Sequence, residues 1–136
     1  EAARRNCPGL DIRTGSVCDL PWGPGEFDLV VDLSTIDHVQ EPEQALREYA
    51  RVLAPRGVLL VVSWVNCAPG TVSGLSGYGG TQYFFDVRAF RKALRERFEV
   101  VDGRLLTPAG ADPARLVVGE LMPFADLHAY VCRRLE

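Results

Sequence analysis

Residues 27–64 read FDLVVDLSTIDHVQEPEQALREYARVLAPRGVLLVVSW, and the succession of patterns within them decides the fold. Phe27, Leu29, Val30, Val31 and Leu33 form a short, nearly continuous apolar run, the pattern of a strand buried on both faces of a parallel sheet. Beyond a polar elbow the period changes to that of a helix starting at Glu41. Leu46, Tyr49, Ala50 and Leu53 share one face, Pro42 suits the first turn, Glu41 and Glu43 favour the positive end, and Pro55 closes the element. Residues 57–64, rich in Val and Leu, form a second apolar strand. Strand, helix and strand make one βαβ unit, with parallel strands and a right-handed crossover.

Working outward, residues 1–6 suit the last turn of a helix, stopped before Cys7-Pro8-Gly9. Residues 10–17 read as a strand with Ile12 in alternation, and Leu20-Pro21-Trp22-Gly23-Pro24-Gly25 as a turn-rich loop. Downstream, residues 66–82 hold Gly70, Gly74, Gly77, Gly79 and Gly80 after Pro69 and predict a flexible loop. It serves either as a lid with Tyr78, Tyr83 and Phe84 as aromatic walls or as a plain connection. Asp86 then caps a helix running to Arg97, with Val87, Phe90 and Leu94 inward and Arg88, Arg91, Lys92 and Arg95 outward. Residues 98–106 form a strand, residues 107–126 a link with a short helix around 114–121, and residues 127–135 a final alternating strand. No internal repeat is present.

The chain has 136 residues, 47% of them hydrophobic, which is the size of one domain but short for a doubly wound sheet with helices on both faces. A net charge of −3 with 15 scattered Lys and Arg offers no field for a phosphate backbone, so nucleic acid is not an expected partner. Cys7, Cys18, Cys67 and Cys132 make no C-x-x-C pair, and Cys18 and Cys132 fall in apolar strand-like runs. Free, mostly buried thiols in a reducing cytoplasm are the expectation. No apolar run reaches membrane-spanning length and no signal peptide is recognisable, so no membrane partner is expected. The glycine-rich stretch lacks the lysine and Ser/Thr pattern of a phosphate loop, which rejects nucleoside triphosphates.

The elbow Asp32-Leu33-Ser34-Thr35-Ile36-Asp37-His38-Val39 follows a parallel strand at its carboxyl end, where open α/β sheets place ligands. His38 suits a general base, with Asp37 or Asp32 orienting it; equally, it packs against the following helix and bonds a backbone carbonyl.

The strand ending FDLV, the elbow DHV and the helix LREYARVLAPRG together resemble the central segment of class I S-adenosylmethionine-dependent methyltransferases. The resemblance implies a Rossmann-like, mostly parallel α/β sheet with an antiparallel last strand. It further implies S-adenosylmethionine as cofactor and methyl transfer to a small-molecule acceptor. In that family the loop after the third strand reads gD…dLPf, and its counterpart here is Gly15-Ser16-Val17-Cys18-Asp19-Leu20-Pro21-Trp22. Ser16 and Val17 would then meet the adenine, Ser16 offering a hydroxyl in place of a carboxylate. Asp19 is either a solvated turn carboxylate or a neighbour of the cofactor. At the strand end Asp32, Leu33 and Ser34 would complete the cofactor contacts, and His38 with Asp37 would be catalytic. Arg56 stands where the family carries the first glycine of its PGG turn and must adopt a backbone conformation that glycine enters freely.

The family's GxGxG loop and the acidic residue ending its second strand have no counterpart before Leu10. Residues 1–136 are therefore expected to be a single methyltransferase-like domain truncated at the N-terminus, with the residues 10–17 strand lacking its neighbours. The chain starts at Glu1 rather than Met, in line with that expectation. The alternative is a non-catalytic module or fragment that self-associates as a homodimer through an exposed sheet edge. A nicotinamide-dependent oxidoreductase is disfavoured, because no G-x-G-x-x-G is present and the elbow has no tyrosine and lysine pair.

Overall fold

A computed structural model describes residues 1–66, 69–75, 80–106 and 125–136. The elements in chain order are α1 (Ala2–Asn6), β1 (Phe27–Leu33), a 3-10 turn (Ile36–His38), α2 (Pro42–Val52), β2 (Leu53–Asn66), β3 (Val72–Leu75), β4 (Thr81–Asp86), α3 (Val87–Arg95), β5 (Phe98–Leu105) and β6 (Ala125–Arg134).

The βαβ unit is present as the apolar periods dictate, with β1 parallel to β2 from Phe27 opposite Leu53 to Leu33 opposite Val62. β6 runs antiparallel along the other edge of β2, pairing Val58 with Arg133 through Asn66 with Ala125, and β5 runs antiparallel outside β6. β4 is parallel to β2 at Val65 and Asn66. Since β6 already fills one edge of β2 to its end, β4 continues the edge that β1 occupies lower down. The sheet is thus mixed, with the expected antiparallel last strand.

Alternation along β2 sorts the two faces. Leu59, Val61, Ser63 and Val65 are buried, whereas Val58, Leu60, Val62 and Trp64 are half-buried. The buried face meets Leu46 and Tyr49 of α2, Phe90 and Leu94 of α3, Phe98 of β5 and Tyr130 of β6 in one core cluster. A row of rings, Tyr83 on Phe85, Phe85 on Phe90 and Phe90 on Tyr130, runs through it with centroids 5.4–6.3 Å apart. Every buried side-chain nitrogen and oxygen among the described residues has a partner.

Several expectations are corrected. Residues 10–17 form no strand, only an isolated bridge between Ser16 and Asp19. A strand needs a neighbour to take its backbone hydrogen bonds, and no described segment forms a ladder with this one. β1 is not buried on both faces: Leu29, Val31 and Leu33 are 55%, 50% and 66% exposed. β2 is their one neighbour in the sheet and α1 buries none of its residues. The helix from Pro42 ends at Val52 rather than near Pro55, because Leu53 is already extended (φ −72°, ψ 139°) and opens β2. α3 stops at Arg95, two residues short of Arg97. Within the expected loop 66–82, Val72–Leu75 and Thr81–Asp86 pair antiparallel, register Val72 with Phe84. The β-favouring QYFF run was the unread signal there. Cys7 is exposed, Cys18 half-buried and Cys132 buried, so burial of the thiols is only partial. Cys67, Tyr78 and the short helix expected at 114–121 lie outside the described residues.

No helix among the described residues is long and apolar enough to cross a membrane.

Candidate active site

The carboxyl end of β1 is shaped by a carboxylate. Asp32, 3% exposed, accepts from the Thr35 amide at 2.7 Å, the Ile36 amide at 3.0 Å and the Tyr49 hydroxyl at 2.6 Å. The first two bonds bend the chain back over the strand end as an Asx-type turn, and the third ties that bend to α2. Between them Ser34 takes φ 62°, uncommon for a side-chain-bearing residue, while its amide still bonds the Val62 carbonyl at 2.8 Å. Beside Asp32, burial and the negative charge push the Tyr49 hydroxyl pKa far up, so it stays a donor.

The turn then buries one polar side chain and exposes the next. Asp37 is 0% exposed and faces β2, where one carboxylate oxygen accepts from Ser63 Oγ and the other from the Trp64 amide at 3.2 Å. Burial, with a smaller contribution from the charge of Asp32, raises its pKa to about 6 against the opposing hydrogen bonds. His38 faces outward, its Nδ1 3.1 Å from the Thr81 carbonyl of β4. A carbonyl can only accept, so in the neutral imidazole Nδ1 carries the proton and Nε2 keeps its lone pair at the surface.

The structure therefore divides the two predicted catalytic residues. The group that orients His38 is the Thr81 backbone carbonyl, while Asp37 serves the turn's other side and Asp32 serves the bend. Thr81 gave no sequence signal, because a backbone oxygen has no residue identity. Ser63 did give one, as the single hydroxyl in the apolar run VLLVVSW.

Next to the elbow lies a cavity of about 270 Å³ between β1, α2 and the loop of residues 16–25. Val17, Leu20, Leu29 and Val31 contribute apolar walls, with Asp32 and Thr35 among its few polar neighbours. Val17 and Asp32 thus meet in one cavity, which Ser16, Leu33, Ser34, Asp37 and His38 do not line. Ser16 is turned into its own loop, where its Oγ accepts from the Cys18 amide at 3.1 Å. Leu33 points to solvent, and Asp19 is an exposed turn residue.

The loop's course is held by α2. Gln44 Nε2 donates to the Cys18 carbonyl at 3.2 Å, Glu48 accepts from the Leu20 amide at 2.8 Å, and Arg51 donates to the carbonyls of Leu20 and Trp22 at 3.0 and 2.7 Å. Arg51 also forks onto Glu48 at 2.7–2.8 Å, which holds that carboxyl below its usual range. Among the described residues no cluster of His, Cys, Asp and Glu could hold a metal ion.

Comparison with known proteins relates the first part of the chain to a family. Residues 1–61 match the family described as methyltransferase domain. Norajmaline N-methyltransferase of Rauvolfia serpentina is 38% identical over 66 residues, covering 47% of this chain and 23% of that protein. A probable S-adenosylmethionine-dependent methyltransferase of Mycolicibacterium smegmatis is 40% identical over 58 residues, 43% of this chain and 23% of its own length. The matches thus span less than a quarter of the length of these curated relatives.

The fold is similar to that of the [4+2]-cyclase SpnF, with a TM-score of 0.71 at 17% identity over 98% of this chain and 60% of that one. It is also similar to 1,6-didemethyltoxoflavin-N1-methyltransferase of Burkholderia thailandensis, solved with S-adenosylhomocysteine, with a TM-score of 0.63 at 15% identity over 88% and 48%. The architecture is that of a Rossmann-like α/β domain. The first part of the chain is thus similar in sequence to methyltransferase domains, S-adenosylmethionine-dependent ones among them, and nearly its whole length is similar to them in fold.

Proposed function

We propose that this chain supplies the adenine-side cavity and the acceptor base of a methyltransferase acting on a small molecule with a hydroxyl or protonated amine. The observation that carries the reading is His38, held by Nδ1 on the Thr81 carbonyl with Nε2 free at the carboxyl end of a parallel strand. Methyl transfer is an in-line displacement in which proximity dominates, and a base is required only where the acceptor must lose a proton. The imidazole would take that proton at Nε2 from the acceptor's oxygen or nitrogen.

The residues present fit one end of the cofactor. The apolar cavity walled by Val17, Leu20, Leu29 and Val31 suits a flat ring, and the loop holding Ser16 and Val17 is braced from α2. When bound, S-adenosylmethionine supplies an electrophilic methyl on sulfur. None of the described residues forms a GxGxG turn for its methionine end. Asp32, Leu33 and Ser34 are assigned to the strand end beside the cofactor, where Asp32 acts through the bend it builds. A cytoplasmic setting and partners limited to small molecules complete the reading.

The experiment is a thermal-unfolding titration with S-adenosylhomocysteine, in which a ligand at a hundred times its dissociation constant adds about 2.7 kcal/mol to the folded state. An upward shift that grows with ligand supports the reading. A cooperative transition indifferent to ligand overturns it for this chain.

A second reading, a non-catalytic module that pairs with its own copy, is favoured by one observation: Leu29, Val31 and Leu33 are at least half exposed on an edge strand. Unchanged unfolding with ligand together with a dimeric mass in solution would select it.

A further inference from the structure

We propose that Asp37 is the positioning residue of this site, acting through Ser63 and the Trp64 amide to turn His38 outward and keep its Nδ1 on the Thr81 carbonyl. The inference rests on His38 being the base. The 3-10 turn of residues 36–38 is three residues long, and at three residues per turn adjacent side chains diverge by about 120°. Fixing one of them against the sheet therefore decides where the next one points. Asp37 is fixed from β2 at both carboxylate oxygens, and His38 is held from β4. The elbow is thereby strung between two strands that pair with each other only at Val65 and Asn66, just beyond Ser63 and Trp64.

The choice of residue argues for a role beyond stability. A carboxylate with no solvent exposure and two donors is under-compensated for its lost hydration, which is why burial is the leading influence on its titration. An apolar side chain would fill the same place at lower cost, and sites that retain a destabilising polar group are typically sites where that group serves function. The charged and polar groups facing Asp37 are Asp32 from β1, Tyr49 from α2, His38 from its own turn, and Ser63 with the Trp64 amide from β2. Among the described residues, only Asp37 of the elbow hydrogen-bonds β2 through its side chain. Removal of its partner should then release the ring from Thr81 while leaving the fold standing.

The test reads the tautomer of His38 by nitrogen-15 NMR of the imidazole at a pH where it is neutral, in the full 136-residue chain without ligand. Wild type should show one form, protonated at Nδ1. Ser63→Ala should retain a folded spectrum and lose at least half of that bias to the Nε2-protonated form. Asp37→Ala should lose it entirely, and Asp37→Asn, which keeps an oxygen for the Trp64 amide, should restore most of it. A merely structural Asp37 would lower the unfolding midpoint in these variants and leave the tautomer untouched. Retention of the Nδ1–H form in folded Ser63→Ala overturns the proposal, and should Asp37→Ala not fold, the Ser63→Ala result alone decides. Failure of S-adenosylhomocysteine to bind would sink the methyltransferase reading without moving any of these spectra, so the two failures remain distinct.

Discussion

The Tyr49 hydroxyl donates to Asp32 Oδ2 at 2.6 Å across the interface of α2 with β1. This bond links the middle of the helix to the last turn of the strand, at the point where the chain leaves the sheet for the elbow. Tyr49→Phe removes the donor and leaves that oxygen with the Ile36 amide alone. Hydrogen bonds to charged groups are worth about 1.5–3 kcal/mol, and a loss of that size should appear in urea denaturation with an unchanged m-value.

Asp37 gives a pH signature. Its folded-state pKa, about 6, lies above the ordinary 3.8, so the folded protein holds the proton more tightly than the unfolded chain. The resulting stabilisation is complete below about pH 4 and lost as pH rises through 6. Asp37→Asn cannot titrate. Between pH 4 and pH 7 the variant should gain roughly 2–3 kcal/mol relative to wild type, by the usual 1.36 kcal/mol per unit. Parallel slopes in chemical denaturation across that range would contradict the assignment.

Arg56 sits at φ 63°, directly before Gly57, whose own Cβ position would fall 2.9 Å from the Ala54 carbonyl oxygen. The left-handed conformation costs a side-chain-bearing residue about 1–2 kcal/mol, and glycine returns part of that gain through its freer unfolded state. Arg56→Gly should therefore stabilise the protein by about 0.5–1 kcal/mol, read as a raised unfolding midpoint.

Arg51→Lys should not preserve the grip on the loop. Lysine presents one compact ammonium, which cannot serve two carbonyls and a carboxylate in the places the planar guanidinium does. Hydrogen exchange at the Leu20 amide, bonded to Glu48, should accelerate in Arg51→Lys and more so in Glu48→Ala, while amides in the centre of β2 keep their protection.

Leu29→Lys with Leu33→Lys tests the edge of β1. Both side chains are more than half exposed, so the pair should shift stability by well under 1 kcal/mol. If the edge self-associates, the variant should sediment as a smaller species than wild type.

The βαβ unit was legible because its apolar runs and helical period are long and local, and Asp86 announced the cap it makes with the amides of Arg88 and Ala89. Residues 10–17 misled because an alternating pattern records what a segment would do beside a partner, and here none of the described segments pairs with it. β1 misled for the matching reason: continuous apolar sequence reports a face made to be covered, not one that is. At the site, Asp32, Asp37 and His38 stood out as polar residues at a strand end, yet their division of labour did not. Which of two adjacent carboxylates faces the sheet depends on the hydroxyl of Ser63, 26 positions away, and on a backbone oxygen of Thr81, 43 positions from His38.

Gln44, Glu48 and Arg51 lie one turn apart on a single face of α2, and each of them holds a peptide group of the loop, never a loop side chain. The course of residues 18–22 is thus written in the helix and not in the loop. Leu20 and Trp22 therefore line the cavity from a frame that their own side chains do not tie to the helix, so the lining can change in evolution, or be re-engineered, while the backbone course is kept.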